Sequence, residues 1–268
     1  MMNIVLLLAI LLCTTSVHLF AQEVTPSPPR HQFEIGITQA SGYWKDIAYS
    51  PLNYRVQRTS YQISYWRENQ PETAIFRAAA FFGTGQVSPS RSELSLFTSD
   101  YTAGNIAFDY LKRVPEKVER LRVFVGPQYQ LYVGYFDFQG QDSFSFIASH
   151  TLNAAALLQY SLGNRHTIGL DASLALAGWL VRPPYAGYNT RLLNNFEEHP
   201  VRLVFDGGRF SSLHNYYFTR WKIDYQFALI SRVSVALNYT FNYQRVSDQY
   251  HPFTQATNQI GGGLIFTL

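Results

Sequence analysis

VSVALNYTFNYQ, residues 233–244, decides the fold. Val233, Val235, Leu237, Tyr239, Phe241 and Tyr243 are apolar or aromatic, and Ser234, Ala236, Asn238, Thr240, Asn242 and Gln244 between them are small or polar. Successive side chains of an extended chain point to opposite faces, so this stretch reads as a strand with one oily and one polar face. The stretch before it repeats the pattern: Trp221, Ile223, Tyr225, Phe227 and Leu229 alternate with Arg220, Lys222, Asp224, Gln226 and Ala228. So do Leu121, Val123, Val125, Tyr129, Leu131, Val133 and Tyr135, set against Arg122, Gly126, Gln128, Gln130 and Gly134. These runs last 11 to 15 residues. Strands of soluble proteins usually run about five to six, whereas a tilted strand crossing a bilayer needs ~9–11.

Working outward, ten such segments start near residues 32, 54, 73, 101, 120, 147, 165, 217, 232 and 256. The connections alternate in length. Residues 69–72, 163–165 and 230–232 are tight turns, and 112–119 is a longer, charged member of that set. The intervening connections, roughly 45–53, 84–100, 138–146, 183–216 and 245–255, are longer. Short turns at one end and long loops at the other predict an all-β chain: a transmembrane, antiparallel, up-and-down β-barrel of about ten strands. Eight and twelve strands are the near alternatives, because residues 73–83 and 86–100 alternate poorly. Lipid offers the backbone no hydrogen-bond partner, so a sheet crosses it only when closed. The apolar face then turns outward and the polar face lines the lumen, leaving no core of the soluble kind. The alternative reading is a soluble β-sandwich or lipocalin-like barrel, with shorter strands and fewer outward tyrosines. Tyr43 and Trp44, Tyr65 and Trp66, and Tyr216, Tyr217 and Trp221 stand at strand ends, where interfacial girdles form.

Composition agrees. Of 268 residues, 15% are charged, against about a quarter in soluble domains. A hydrophobic share of 47% excludes a disordered chain. No stretch after residue 21 reaches the ~20 apolar residues of a membrane helix, which excludes a helical polytopic protein. Residues 3–12 (NIVLLLAILL) form a short apolar core followed by Leu19-Phe20-Ala21-Gln22. Residues 1–21 therefore read as a cleaved Sec signal peptide. Residues 22–31 follow as a flexible, Pro-rich periplasmic lead-in, and 32–268 as one barrel domain. Cys13, inside the signal, is the single cysteine, so the remaining chain has no disulfide, thiolate ligand or thiol nucleophile.

The last ten residues, Gln259-Ile-Gly-Gly-Gly-Leu-Ile-Phe-Thr-Leu268, carry a resemblance. They resemble the terminal strand of bacterial outer-membrane β-barrel proteins, whose assembly signal is a Gly, an aromatic three residues on, and a terminal aromatic or apolar residue. Gly263, Phe266 and Leu268 match it; Leu stands where Phe is usual, and Gly261 where a polar residue is usual. The Ala21-Gln22 ending is similar to that of Bacteroidetes exports. The resemblance is to a class and names no single characterised family. It implies the outer membrane of a Gram-negative bacterium, with outer-membrane lipid, lipopolysaccharide and the barrel-assembly machinery as surroundings.

By parity the lumen holds Glu34, Arg77, Asp109, Arg122, Asp171, Arg220, Lys222 and Asp224. These charges are either an ion or solute path or a paired plug, since barrels of this size have interiors that side chains fill. The loop 183–216 offers Tyr185, Tyr188, Arg191, Arg202 and Arg209 to anionic surface sugars or to an envelope protein partner. Within it, Val201–Phe205 before Asp206-Gly207-Gly208 predicts a hairpin. No catalytic set emerges. Lipid-cleaving outer-membrane enzymes carry His-x-Ser on an outward face, and His150-Thr151-Leu152 has Leu where Ser is needed. Asp137, Asp142, Asp206, His214, Asp248 and His251 lie in or near the long loops without matching the motifs of the ten-stranded outer-membrane proteases. The seven scattered His lack metal-ligand spacing. No cofactor is expected, and a dispersed net charge of +3 gives no reason to expect nucleic acid. The expected function is a non-enzymatic structural or interaction barrel, or a narrow small-solute channel. An outer-membrane lipid or peptide hydrolase, or a barrel subunit of a larger uptake or secretion complex, are the alternatives.

Overall fold

The structure, a computed structural model, describes residues 31–47, 52–69, 73–90, 98–137, 144–182, 198–248 and 251–268. Ten long strands carry the chain: β1 (His31–Asp46), β2 (Tyr54–Glu68), β3 (Ala74–Pro89), β4 (Ser99–Val114), β5 (Leu121–Asp137), β6 (Phe144–Leu162), β7 (His166–Val181), β9 (Tyr216–Ile230), β10 (Val233–Val246) and β11 (Phe253–Thr267). Between β7 and β9 lie one helical turn, α1 (Pro200–Leu203), and a short strand, β8 (Arg209–Ser212). The expected signal peptide and lead-in fall outside the described residues, except that His31 opens β1.

Each long strand is antiparallel to its neighbours, and β1 meets β11 in unbroken register from Gln32↔Thr267 to Asp46↔Phe253. The sheet is thus a closed ring with no exposed edge, the condition for crossing hydrocarbon. The turns 163–165 and 231–232 are tight, and Gly163 supplies the positive φ (70°) that the first requires. They share one end of the barrel with 69–73 and 115–120; the longer loops gather at the other. Gly261 and Gly263 lie where β11 closes on β1. A Cβ would stand 2.4 Å from Thr38 Cγ2 at Gly261, and 2.5 Å from the Ile35 carbonyl oxygen at Gly263.

The two faces follow the alternation. Leu237, Trp221, Ile223 and Ile260 are exposed on the outside, while Ala236, Asn238 and Thr240 are buried within. The outward apolar band extends about ten residues up from the short-turn end, the length a tilted strand needs to cross hydrocarbon. Beyond it, Tyr43 apart, the outside of β1–β3 turns polar: Gln39, Ser41, Arg55, Gln57, Thr84 and Gln86. On β5–β7 it stays apolar, through Val133, Tyr135, Phe146, Ala148 and Val181.

Three expectations are corrected. β3 runs to Pro89, so the loop after it begins at residue 90 rather than 84. Gly83 and Gly85 blur the alternation because they lie against β2, where a Cβ on Gly85 would sit 1.9 Å from the Gln57 carbonyl oxygen. Val201–Phe205 is not a strand of a hairpin. Pro200 opens a helical turn there, its fixed φ and missing N–H suiting a helix start. The N–H groups of Phe205 and Asp206 then both bond the Arg202 carbonyl, and the strand, β8, comes after the glycines. Finally, Trp44, Trp66 and Tyr216 face the lumen rather than a girdle; Tyr43, Tyr65, Tyr217 and Trp221 face outward. Trp44 and Tyr216 belong to an apolar cluster inside the barrel, which therefore has internal cores of its own.

Candidate functional site

The lumen is filled in three layers. At the long-loop end, inward residues from β1–β7 and β9–β11 form an aromatic cork. Trp44 is fully buried and its ring centroid lies 4.4 Å from that of Phe136, which stacks on Tyr101 at 4.4 Å and an interplanar angle of 7°. Tyr54, Tyr216 and Phe253 complete the ring, with Val56, Val87, Ile147 and Leu180 filling between them. The cork's hydroxyls point into hydrogen bonds: Tyr101 to Tyr132 at 2.8 Å, and Tyr216 to Ser149 at 3.2 Å. Above the cork, Arg182 is ion-paired with Asp46, which also accepts from Ser145 Oγ at 3.1 Å.

Beneath the cork lies a belt of charges and amides. Strand register builds it, because Arg77 is opposite Asp109, Asp109 opposite Gln128, and Gln128 opposite Asn153. Each of these pairs is hydrogen-bonded. Arg77 also reaches across the ring from β3 to Asp171 on β7, which accepts from Arg220 at 3.2 Å. Glu34 accepts from Gln62 and Ser64 and faces Lys222 at 3.9 Å. Asp224 accepts from Gln226 at 3.0 Å. Gly169, opposite it in register, makes the room: a Cβ there would sit 2.5 Å from Asp224 Oδ1. Charges taken from water cost several kcal/mol each unless paired and hydrogen-bonded, so this pairing holds the belt in place. The third layer, at the short-turn end of β3–β6, is Ile75, Leu111, Phe124, Ala155 and Leu157 with Trp66 beside them. A polar cavity of about 120 Å³ remains in the belt.

Seven of the eight lumen charges read from parity lie in this belt. Arg122 is separate, paired at 2.9 Å with Glu68 near the short turns. Parity reading passed over Arg58, Glu68 and the Asp46–Arg182 pair, although Arg58 and Asp46 have the parity of buried neighbours. Of the loop candidates, Tyr185, Tyr188 and Arg191 lie outside the described residues, as does Asp142. Arg202 is exposed, and Arg209 pairs with Asp248 at 2.8 Å. At the terminus, Gly263 lies opposite Gly36, Phe266 opposite Phe33, and the Leu268 N–H donates to the His31 carbonyl at 2.9 Å.

The outside wall carries a second feature. Residues 200–208 lie as a flap over β5–β7, above the apolar band. Leu203 is buried on Phe146, Ala148 and Val181. Two ring N–H groups clasp consecutive carbonyls: His150 Nε2 donates to Val204 at 2.9 Å and Trp179 Nε1 to Phe205 at 3.0 Å. With its proton on Nε2, His150 accepts at Nδ1 from the Tyr129 hydroxyl at 2.7 Å, and Phe205 stacks on its ring at 4.5 Å. β8 adds four backbone pairings to the end of β7. His150, weighed from sequence as a catalytic residue, is thus a structural clasp.

This geometry is shared with solved structures. The outer-membrane protease OmpT from Escherichia coli superposes with a TM-score of 0.57, over 92% of this chain and 99% of that one, at 8% identity. The fold is that of bacterial outer-membrane β-barrels. The translocator domain of the autotransporter NalP from Neisseria meningitidis matches at 0.41 and 8% identity, over 97% and 94% of the two chains. Ail, the attachment invasion locus protein of Yersinia pestis, matches at 0.30 and 10%, over 90% and 100%. No family model and no curated protein matches the sequence. At such identities the likeness reaches the fold and no further.

Proposed function

We propose that the chain is a non-enzymatic outer-membrane barrel with a closed lumen, acting through its long-loop end. The aromatic cork carries this reading. Trp44, Tyr101, Phe136 and Phe253 meet across the ring at the mouth, and an ion-paired belt lies beneath them. A hydrated solute would have to displace both. The long-loop end faces outward and the short turns face the periplasm. The apolar band meets lipid, and the flap and loops meet lipopolysaccharide or an envelope protein. The strand ending in Phe266 and Leu268 is what the barrel-assembly machinery reads. Planar-bilayer recording of the refolded barrel tests the closed lumen. The expected trace is flat under applied voltage, and steady open steps of uniform size would make the protein a channel instead.

A further inference from the structure

We propose that the lumen cavity is a binding site for a small monovalent anion, a halide or a short carboxylate, held at Arg58. This goes beyond the closed-barrel reading and does not depend on it. Arg58 is 3% exposed, deep on the inner face of β2. Its guanidinium carbon lies over two rings, 4.9 Å from the centroid of Phe81 and 5.5 Å from that of Tyr101. Its N–H groups are the donors left to a partner. One of these, Nη1, reaches the Tyr101 hydroxyl at a long 3.4 Å, and Nε has no partner. Among the described residues no carboxylate is paired with Arg58. A buried, unpaired cation is expensive by several kcal/mol, and something must answer it.

The cavity supplies the place. It is lined by Arg58, Arg77, Arg220 and Lys222 and by three carboxylates, Glu34, Asp109 and Asp171, and Asp224 in the same belt brings the carboxylates to four. Among the residues that line the cavity the unmet hydrogen-bonding capacity has one sign. Arg58 Nε, Arg77 Nη2 and Arg220 Nε are buried donors without acceptors. The three carboxylates are each engaged by two or more donors. Gln130, whose Oε1 accepts from Asn153, can present its N–H₂ group to the same space. A cavity whose lining holds three unmet guanidinium donors takes an anion, which answers them, rather than a cation. At about 120 Å³ it has room for a halide or a short carboxylate together with water. The lining extends from Tyr132 in the cork to Trp66 near the short-turn end of β2.

Bromide is the probe. Crystals of the full barrel grown in sodium bromide should show an anomalous peak within hydrogen-bonding distance of Arg58 Nε. Bromide confined to the outer surface, or water alone at Arg58, overturns the site. In solution, titrating bromide against gluconate at constant ionic strength should raise Tm, little below the dissociation constant and logarithmically above it. Above the midpoint the rise is about 3 °C for each tenfold step in bromide. Arg58→Gln should abolish that response. An equal response in both proteins, or none in either, refutes the proposal. Should the variant fail to fold, the bromide peak in the unaltered barrel still decides.

Discussion

Asp171 is the residue on which the lumen's electrostatics turn. It accepts from Arg77, reaching across the ring, and from Arg220 on the adjacent strand, and it is 2% exposed. Asp171→Asn keeps the shape and removes the charge, leaving the part-buried Arg220 without its carboxylate partner and Arg77 with Asp109 alone. The expected loss is about 3–5 kcal/mol in urea unfolding of the refolded barrel, the usual cost of breaking a buried pair from one side. Asp248→Asn, at the half-exposed Arg209 pair, should cost under ~1 kcal/mol. Equal losses would mean that the belt is as solvated as the surface. At this scale the sequence was legible wherever a charge interrupts an oily run, since Asp171 and Arg220 announce an inward face by their cost in lipid. It was poorly legible for aromatics, which suit either face. Trp44 reads as a girdle residue from its place at a strand end, although it shares its parity with Glu34 and Asp46. Arg58 follows two inward apolar residues, Tyr54 and Val56, while the outward Arg55 and Gln57 are polar, so the alternation there marks the wrong face of β2 as polar.

Among the elements, the long strands could be read to within a few residues because backbone closure and a two-residue period leave little choice. The flap could not. Its position depends on a match between Leu203 and a patch of β5–β7 far away in sequence, and no local pattern encodes that meeting. In retrospect the signal is a surplus: β5–β7 stay apolar on the outside beyond the span of a bilayer, while β1–β3 turn polar at the same height. The flap covers that surplus, and its clasp is two hydrogen bonds and one stacked ring. Leu203→Gln should therefore release the flap and leave the barrel intact. Trypsin should then cut after the already exposed Arg202 at least tenfold faster, while the unheated protein keeps the compact gel mobility of the unaltered barrel. Unchanged cleavage would show that β8 pairing alone holds the segment down.

The whole molecule joins two solvents. Its outside is oily over one bilayer's height, and its inside is oily at the mouth and charged at the waist, so stability comes from lipid contact outside and from protein packing within. Alternation along single strands shows the first arrangement, because each strand meets lipid independently. It cannot show the second, because the cork exists only once ten strands bring their inward ends together around one axis. The two sources separate under mutation. Trp44→Ala empties a site where protein atoms surround the ring on every side, and should lower unfolding stability by about 3–5 kcal/mol in detergent and in bilayers alike. Trp221→Ala removes an outward ring that lipid or detergent replaces, so its loss should be smaller and should change with the surrounding lipid. Paired urea titrations in micelles and in vesicles measure both. If Trp44→Ala proved the milder of the two, the mouth would not be packed as a core, and the reading of the barrel as closed would go with it.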